Sequence, residues 1–320
     1  MGKSYPSKTN ARGIWNINEI SKNKVTHKNW PRGNTKGLFA IGSTAVTVEQ
    51  LIIETAGNST DFGDLTDGRG QNCSVGNVTR SIFLGGASPG VVNIIDFVQF
   101  ATAADYSDFG DLTAARRLCG GAGNDTRGMA AAGVSSNVID FITLASTGNA
   151  TDFGNTHAAA AGAQNSQVNS TTRALFAGFN TPGPAVNVID FVEISSTGNA
   201  IDFGNLSVAR SQPGGICSST RGIWAGGTAS GTNEEIDYVT IASHGNATDF
   251  GDLTSVSQHP AGMSSEKRGV LAGTNTDSGT ADIDQIIIAS TGDSVDFGDC
   301  TSCAQSAGGS NGHGGLALTS

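Results

Sequence analysis

Carboxylates that recur along the chain are the residues with the clearest capacity for chemistry. One series is the Asp of Asp-Phe-Gly, which occurs six times, at Asp61, Asp108, Asp152, Asp202, Asp249 and Asp296. A second series lies in the apolar segment before each tripeptide, at Glu49, Asp96, Asp140, Asp190, Asp237 and Asp284. Such groups could bind a divalent cation, but Ca²⁺ takes six to eight oxygen ligands and each Asp-Phe-Gly-Asp segment offers only two carboxylates. We therefore predict no bound metal. For the second series we predict a structural role, with a carboxylate-lined central site as the alternative.

The Asp-Phe-Gly tripeptide is also a Mg²⁺-binding motif in protein kinases. There it occurs once and acts with a Gly-rich phosphate loop, a strand lysine and a catalytic loop, none of which this chain contains. Six copies favour a structural role, in which each Gly permits a turn and each Phe packs in the core. The predicted core aromatics are Phe62, Phe109, Phe153, Phe203, Phe250 and Phe297.

A basic residue also recurs once per repeat, directly before a short apolar run. The six are Lys36, Arg80, Arg127, Arg173, Arg221 and Arg268. A carboxylate half-buried in a strand is costly unless it is paired and hydrogen-bonded. We therefore predict one charge pair per repeat between this basic series and the second acidic series.

Cysteines and histidines add no catalytic group. Cys300 and Cys303 have the spacing of a zinc or redox half-site, but no second pair accompanies them, so we predict buried or incidental thiols. Five cysteines at irregular spacing do not indicate a disulfide framework and favour a reducing site of synthesis. The five histidines occupy different places in the repeat, which excludes a recurrent Ser-His-Asp or metal cluster. We predict no catalytic, cofactor-binding or metal-binding residues and no enzymatic activity.

These residues belong to repeats of about 47 residues. Each repeat predicts a short apolar strand after the basic residue, a β-branched and aromatic strand, and a Ser-Thr-Gly-Asn turn whose Gly and Asn take positive φ. The same turn accounts for the Asn-x-Ser/Thr sequences at Asn58, Asn149 and Asn246. A third strand contains Asp-Phe-Gly, and a fourth, Gly-rich strand precedes the next basic residue. Four strands in this length are typical of a propeller blade, and a right-handed β-helix is the main alternative.

The phase of the repeats predicts how the ring closes. The first repeat, residues 36–66, lacks a Gly-rich strand before it, whereas residues 304–310 provide one with no complete blade after it. We expect an all-β, six-bladed propeller in which this C-terminal strand pairs into the first blade. The apolar segment 314–318 leaves a seventh, composite blade as an alternative.

Composition and charge exclude several classes of partner. The net charge of −10 and the scatter of 18 Lys and Arg residues argue against nucleic acid. No uninterrupted apolar stretch approaches the roughly 20 residues of a membrane span. The first residues, MGKSYPSKTNARG, contain no apolar core of a secretory signal, so classical export is not expected.

Two resemblances extend this interpretation. The order of elements in residues 206–227, 236–243 and 249–254 resembles the kelch repeat, although the double glycine is intact only at Gly85–Gly86 and Gly226–Gly227 and Phe replaces the family's tryptophan. The N-terminal segments GIWNINEI (13–20) and NWP (29–31), followed by these repeats, resemble virion proteins of tailed bacteriophages, especially marine ones, found in tail or fibre-associated parts. The second resemblance implies a virion context and carries no catalytic residue.

The resemblance implies a non-enzymatic virion protein with two parts. Residues 1–31 are expected to attach to other virion proteins, with Trp15 and Trp30 as anchors, and residues 32–320 to form the propeller. Variable loops on a rigid ring are where recognition is expected, so a host cell-surface glycan or protein is the predicted ligand. The loops are 86–93, 179–187, 228–234 and 274–281. The alternatives are an intracellular kelch-type scaffold and a polysaccharide-degrading propeller enzyme.

Overall fold

A computed structural model describes residues 35–41, 45–87, 89–134, 136–157, 167–179, 184–229, 233–273, 282–301 and 307–316. Within these ranges all regular structure is β, in six antiparallel four-stranded sheets. Among the same residues, no helix has the length and apolar character needed to cross a membrane. The predicted attachment segment, residues 1–31, lies outside the described residues.

The first three blades contain these strands. Blade 1 has β1 (Lys36–Ala40), β2 (Thr47–Ile52) and β3 (Thr60–Asp64); blade 2 has β4 (Cys73–Gly76), β5 (Arg80–Leu84), β6 (Ile94–Gln99) and β7 (Ser107–Asp111); blade 3 has β8 (Gly120–Gly123), β9 (Arg127–Ala131), β10 (Val138–Thr143) and β11 (Thr151–Asn155).

The remaining blades repeat the pattern. Blade 4 has β12 (Val168–Asn169), β13 (Arg173–Ala177), β14 (Val188–Glu193) and β15 (Ile201–Asn205); blade 5 has β16 (Gly214–Cys217), β17 (Arg221–Ala225), β18 (Glu235–Thr240) and β19 (Thr248–Asp252); blade 6 has β20 (Ala261–Ser264), β21 (Arg268–Ala272), β22 (Asp282–Ile287) and β23 (Val295–Asp299). The last strand, β24 (Gly308–Ser310), completes blade 1.

The predicted closure of the ring is confirmed. Strand β24 pairs antiparallel with β1, with Gly37 opposite Ser310 and Phe39 opposite Gly308. The ring therefore has six blades and is closed by the C-terminal end of the propeller. The alternative of a seventh blade is wrong, because residues 312–316 form buried turns rather than a strand.

Apolar packing between blades forms the core, as expected when no single sheet can bury both of its faces alone. Each of six buried clusters joins two neighbouring blades and contains one Asp-Phe-Gly phenylalanine, which confirms the predicted role of that aromatic residue. In the cluster between blades 3 and 4, for example, Phe153 packs with Phe176 and Ile194.

The glycine of Asp-Phe-Gly has a different role from the predicted one. It lies inside the outermost strand at a β-bulge, where the register shifts by one residue in every blade. At Gly154, φ is +151° and a Cβ would overlap the carbonyl oxygen of Gly198 in the next blade. Close contact between blades, rather than a turn, requires glycine here.

The Asn of the repeated Ser-Thr-Gly-Asn turn also differs from its prediction. The described residues place no Asn at positive φ. Instead the Asn149 carboxamide oxygen accepts a hydrogen bond from the Asp111 amide of the preceding blade, and Gly148 and Ala150 donate to Phe109 and Asp111 carbonyl oxygens. Each turn thus covers the open edge of the preceding blade's outer strand, which would otherwise invite pairing with another chain.

Candidate functional site

Loop lengths distinguish the two faces of the propeller. Because strands alternate in direction, the connections that lead into the outermost strand, such as β6 to β7, all lie on one face. Each has seven residues: 53–59, 100–106, 144–150, 194–200, 241–247 and 288–294. The connections that follow the strand beginning with the basic residue, such as β5 to β6, lie on the opposite face and have six to ten residues: 41–46, 85–93, 132–137, 178–187, 226–234 and 273–281. We call these the constant face and the loop face.

The predicted recognition loops all belong to the loop face. Within 86–93 the described residues include an antiparallel bridge between Ala87 and Val91, and Val91 is exposed. Loops 179–187 and 228–234 are described only at their ends, and 274–281 lies outside the described residues. The loop face is the candidate functional site, because it concentrates the length variation among otherwise matched hairpins.

The second acidic series lies beneath the loop face and is buried in all six blades, with no member more than 3% exposed. Each carboxylate accepts hydrogen bonds from the linker between blades. Asp140, for example, accepts one from the Thr113 amide at 3.0 Å and one from its hydroxyl at 2.7 Å. Equivalent contacts join Thr66 to Asp96, Ser207 to Asp237 and Thr254 to Asp284.

The predicted pairing of acidic and basic series is wrong. Asp96, Asp140 and Asp237 instead form ion pairs with arginines of the linkers between blades. The pairs are Arg69–Asp96 at 2.8 Å, Arg116–Asp140 at 2.9 Å and Arg210–Asp237 at 2.9 Å, all with both side chains at most 1% exposed. These arginines occupy one position, three residues after the Thr or Ser that follows each outer strand, so the repeat alignment held a signal for them.

Each buried arginine also contacts the ends of a loop-face connection. Arg116 donates to the carbonyl oxygens of Ala132 and Val138, which flank the connection of blade 3, at 3.5 and 2.8 Å. Arg69 Nε donates to Gly85 O at 2.8 Å, where the loop of blade 2 begins. Arg210 donates to Trp224 O and Glu235 O, on either side of the loop of blade 5. The ion pairs therefore orient loop ends.

The basic series makes contacts on the constant-face side of the sheets. Arg80 Nη1 donates to Leu144 O of the next blade at 2.7 Å, and its guanidinium lies 5.0 Å from the centre of the Phe97 ring. The other five basic residues reach a carbonyl of the next blade in the same way. This series therefore joins blades through carbonyl contacts, with an aromatic ring beside five of the six cations. Arg173 also pairs with Glu193 of its own blade at 2.9 Å, outside the second acidic series.

Three blades lack the arginine partner in the described residues, and each satisfies its carboxylate differently. Asp284 accepts from Ser294 Oγ at 2.7 Å, and Glu49 from Ser59 Oγ. Asp190 accepts from the His157 amide at 2.8 Å, while its Oδ1 has no hydrogen-bond partner among the residues described. Burial raises the pKa of Asp190 to about 6.

The first described residue and the segment after the last strand both lie at the constant face. Thr35, the first described residue, contacts the seven-residue turn of blade 1 through its carbonyl oxygen, which accepts from the Ile53 amide at 2.9 Å. Residues 311–316, which follow β24, lie at the same end, because Asn311 exchanges hydrogen bonds with Lys36. The described chain therefore begins on the face opposite the variable loops.

The segment 312–316 packs against the constant-face ends of the inner strands of blades 2 to 5, and His313 fixes it. His313 Nε2 lies 3.1 Å from Gly76 O of blade 2, while Nδ1 accepts from Asn169 Nδ2 of blade 4 at 3.0 Å and from the Gly315 amide at 3.2 Å. These partners require a neutral ring with its proton on Nε2. Burial accordingly lowers the pKa of His313 to about 4.

The cysteines differ from their prediction in one respect. Cys300 lies in a disulfide bond rather than being an incidental thiol. Cys73, Cys119 and Cys217 are free and buried, and Cys303 lies outside the described residues.

Across the part of the chain that the structure describes, no three His, Cys, Asp or Glu side chains are placed to hold a metal ion.

Comparison of the sequence with protein-family models and with curated proteins gave no match.

Proposed function

We propose that this chain is a non-enzymatic structural protein of a tailed-bacteriophage virion whose propeller binds the host cell surface through the loop face. One observation carries the proposal: hairpin length varies on the loop face alone, and the described chain begins on the opposite, constant face. Attachment of the propeller to the particle through its constant face would leave the variable loops directed outward. The resemblance of residues 13–20, 29–31 and the repeats to virion proteins supports the setting.

A kelch-like origin of the blades is part of the same proposal. Two double glycines directly follow strands β5 and β17, and all four residues have positive φ. The angles are +62° and +116° at Gly85–Gly86, and +62° and +100° at Gly226–Gly227. Only glycine takes these angles readily, so the double glycine turns the chain into the recognition loop. A propeller of this kind commonly binds partners through such loops.

In blades 2 and 5 the recognition loop has a rigid base, where a buried ion pair contacts backbone carbonyls at the loop ends. A preorganised loop loses less conformational entropy when it binds. A host glycan or surface protein is the ligand class that fits variable, solvent-facing loops on an acidic chain without a basic stripe.

Two measurements test the proposal. Mass spectrometry of purified phage particles is expected to find the chain as a stoichiometric component, and labelled full-length chain is expected to bind host cells. Replacing loops 85–93 and 178–187 with the six-residue connection 132–137 of blade 3 should lower cell binding at least tenfold. As a control, exchanging the seven-residue turns 144–150 and 194–200 on the constant face should leave it unchanged.

The outcomes separate the alternatives. Absence from particles together with capture of a host cytoplasmic protein would favour the kelch-type scaffold. Release of new reducing ends from bacterial polysaccharides by the purified chain would favour a polysaccharide-degrading enzyme. Equal cell binding by the loop-replaced chain and its control would contradict recognition through the loop face.

A further inference from the structure

Two free cysteines meet at the interface between blades 2 and 3. Cys73 begins the innermost strand of blade 2, and Cys119 immediately precedes the innermost strand of blade 3. Their Sγ atoms are 2.8 Å apart, and neither residue has any exposed surface. A disulfide bond is about 2.05 Å long, so bond formation needs a sulfur displacement of less than about 1 Å.

The surroundings of the pair make one sulfur the better nucleophile. The hydrogen bond with Cys73 and the positive charge of Arg116 lower the pKa of Cys119, whereas burial raises that of Cys73. The thiolate is the reactive form of cysteine, so Cys119 is the better nucleophile once the two blades are packed. Cys217, which is also free and buried, has its pKa raised to about 11 by burial.

We propose that Cys73 and Cys119 are a modification site, which a low-molecular-weight disulfide such as oxidised glutathione converts into a disulfide between blades. Before the blades pack, the thiolate of one of the two cysteines attacks one sulfur of the oxidant, breaks its S–S bond and releases one thiolate. As the blades meet, the thiolate of the other cysteine attacks the protein sulfur of this mixed disulfide, breaks it and releases the second thiolate. Both cysteines lose a proton, and the two electrons they lose reduce the oxidant to two thiols.

The burial of both sulfurs determines when this exchange occurs. An oxidant reaches them only before blades 2 and 3 have packed, so the bond forms during folding. A second observation favours oxidation, because Cys300 of the same chain already lies in a disulfide. The bond would close a loop containing all four strands of blade 2 and would tie neighbouring inner strands, independently of the function proposed above.

A refolding experiment tests the modification. The full chain, reduced and unfolded, is refolded with oxidised and reduced glutathione, its remaining thiols are alkylated, and it is digested with trypsin without reduction. Cys73 and Cys119 lie in tryptic peptides 70–80 and 118–127, and Cys217 lies in 211–221. Most molecules should yield 70–80 linked to 118–127, while 211–221 should be alkylated. The linked protein should unfold on the order of 10²-fold less at equilibrium than protein refolded without oxidant.

Matched variants identify the source of the effect. Cys73→Ala and Cys119→Ala should abolish both the linked peptide and the stability gain from glutathione, and Cys217→Ala should change neither. Recovery of 70–80 and 118–127 as separate alkylated or glutathionylated peptides from the wild-type chain would overturn the proposal, as would their linkage to other cysteines. The wild-type peptide map decides the question even if an alanine variant does not refold.

Discussion

Replacing equivalent buried aspartates in blades 3 and 4 should change stability in opposite directions. Asp140 is paired with Arg116 at 2.9 Å, whereas Asp190 lacks an ion-pair partner in the described residues, and neither side chain is more than 1% exposed. Asp140→Asn leaves the Arg116 charge buried without compensation, which typically costs about 3–5 kcal/mol. Asp190→Asn removes a buried charge while keeping an acceptor for the His157 amide.

The gain from Asp190→Asn follows from the raised pKa. A shift from 3.8 to about 6 means that folding penalises the ionised carboxyl, by about 3 kcal/mol at pH above 6. Since the raised pKa favours the protonated form in the folded chain, wild-type stability recovers as the pH falls from about 6 towards 3.8. We therefore expect Asp190→Asn to stabilise the chain by about 1–3 kcal/mol at pH 8, and by less at pH 5.

Guanidinium denaturation of the wild-type chain and both variants at pH 8 and pH 5 measures these differences. Other titrating groups are common to the three proteins, so the variant-minus-wild-type values isolate each aspartate. The midpoint should rise for Asp190→Asn and fall for Asp140→Asn at pH 8. A fall of similar size for both variants would refute the reasoning, because it would show that Asp190 is stabilised as an anion by the folded chain.

Three further perturbations test other parts of the structure. His313 is neutral in the fold with a pKa of about 4, so wild-type stability should decline by up to about 3 kcal/mol as the pH falls from 6.5 to 4, and denaturation of His313→Gln should lack this part of the slope. Gly154→Ala should lower the melting temperature by several degrees because its Cβ overlaps Gly198 O, whereas Gly198→Ala, whose Cβ meets no atom within 4 Å, should not. Deleting residues 307–320 removes β24 and exposes the edge of blade 1, so limited proteolysis should cleave that blade faster than in a chain lacking only 317–320.

Composition and phase were sufficient to predict the architecture from the sequence. Each repeat carries turn residues at constant offsets and apolar runs too short for helices, which restricts it to short antiparallel strands. The missing strand before residue 36 and the spare one near residue 308 then determine how the ring closes. These signals are local or strictly periodic, so they can be recognised in the sequence without knowledge of tertiary contacts.

The ion-pair partners of the buried carboxylates could not be predicted from the sequence, because they depend on the path of the linkers between blades. The sequence offers two recurrent cation positions, at Arg80 and at Arg69 and their equivalents, and either could satisfy a buried carboxylate. Strand direction places Arg80 and its equivalents at the constant-face end of the sheet, and Arg69 beside Asp96 near the loop face. The Gly of Asp-Phe-Gly was misassigned for a related reason, since its constraint comes from the adjacent blade, at a distance of about one repeat.

Linker arginines occur beside only some of the buried carboxylates, and this distribution indicates the role of the carboxylates. If the carboxylates formed a ligand site, the linker residues beside them would be expected to match the ligand rather than the loops above. Instead, Arg69, Arg116 and Arg210 each bond to carbonyls at a loop end, and in blade 6, where Ser257 stands at this position, its Oγ donates to Gly273 O at 2.8 Å, again where a loop begins. The linker position thus supports the loop base through an ion-paired guanidinium or a neutral hydroxyl. In blade 6 the Asp284 carboxylate accepts from Thr254 and Ser294 instead, so the loop base and the buried carboxylate have separate donors there.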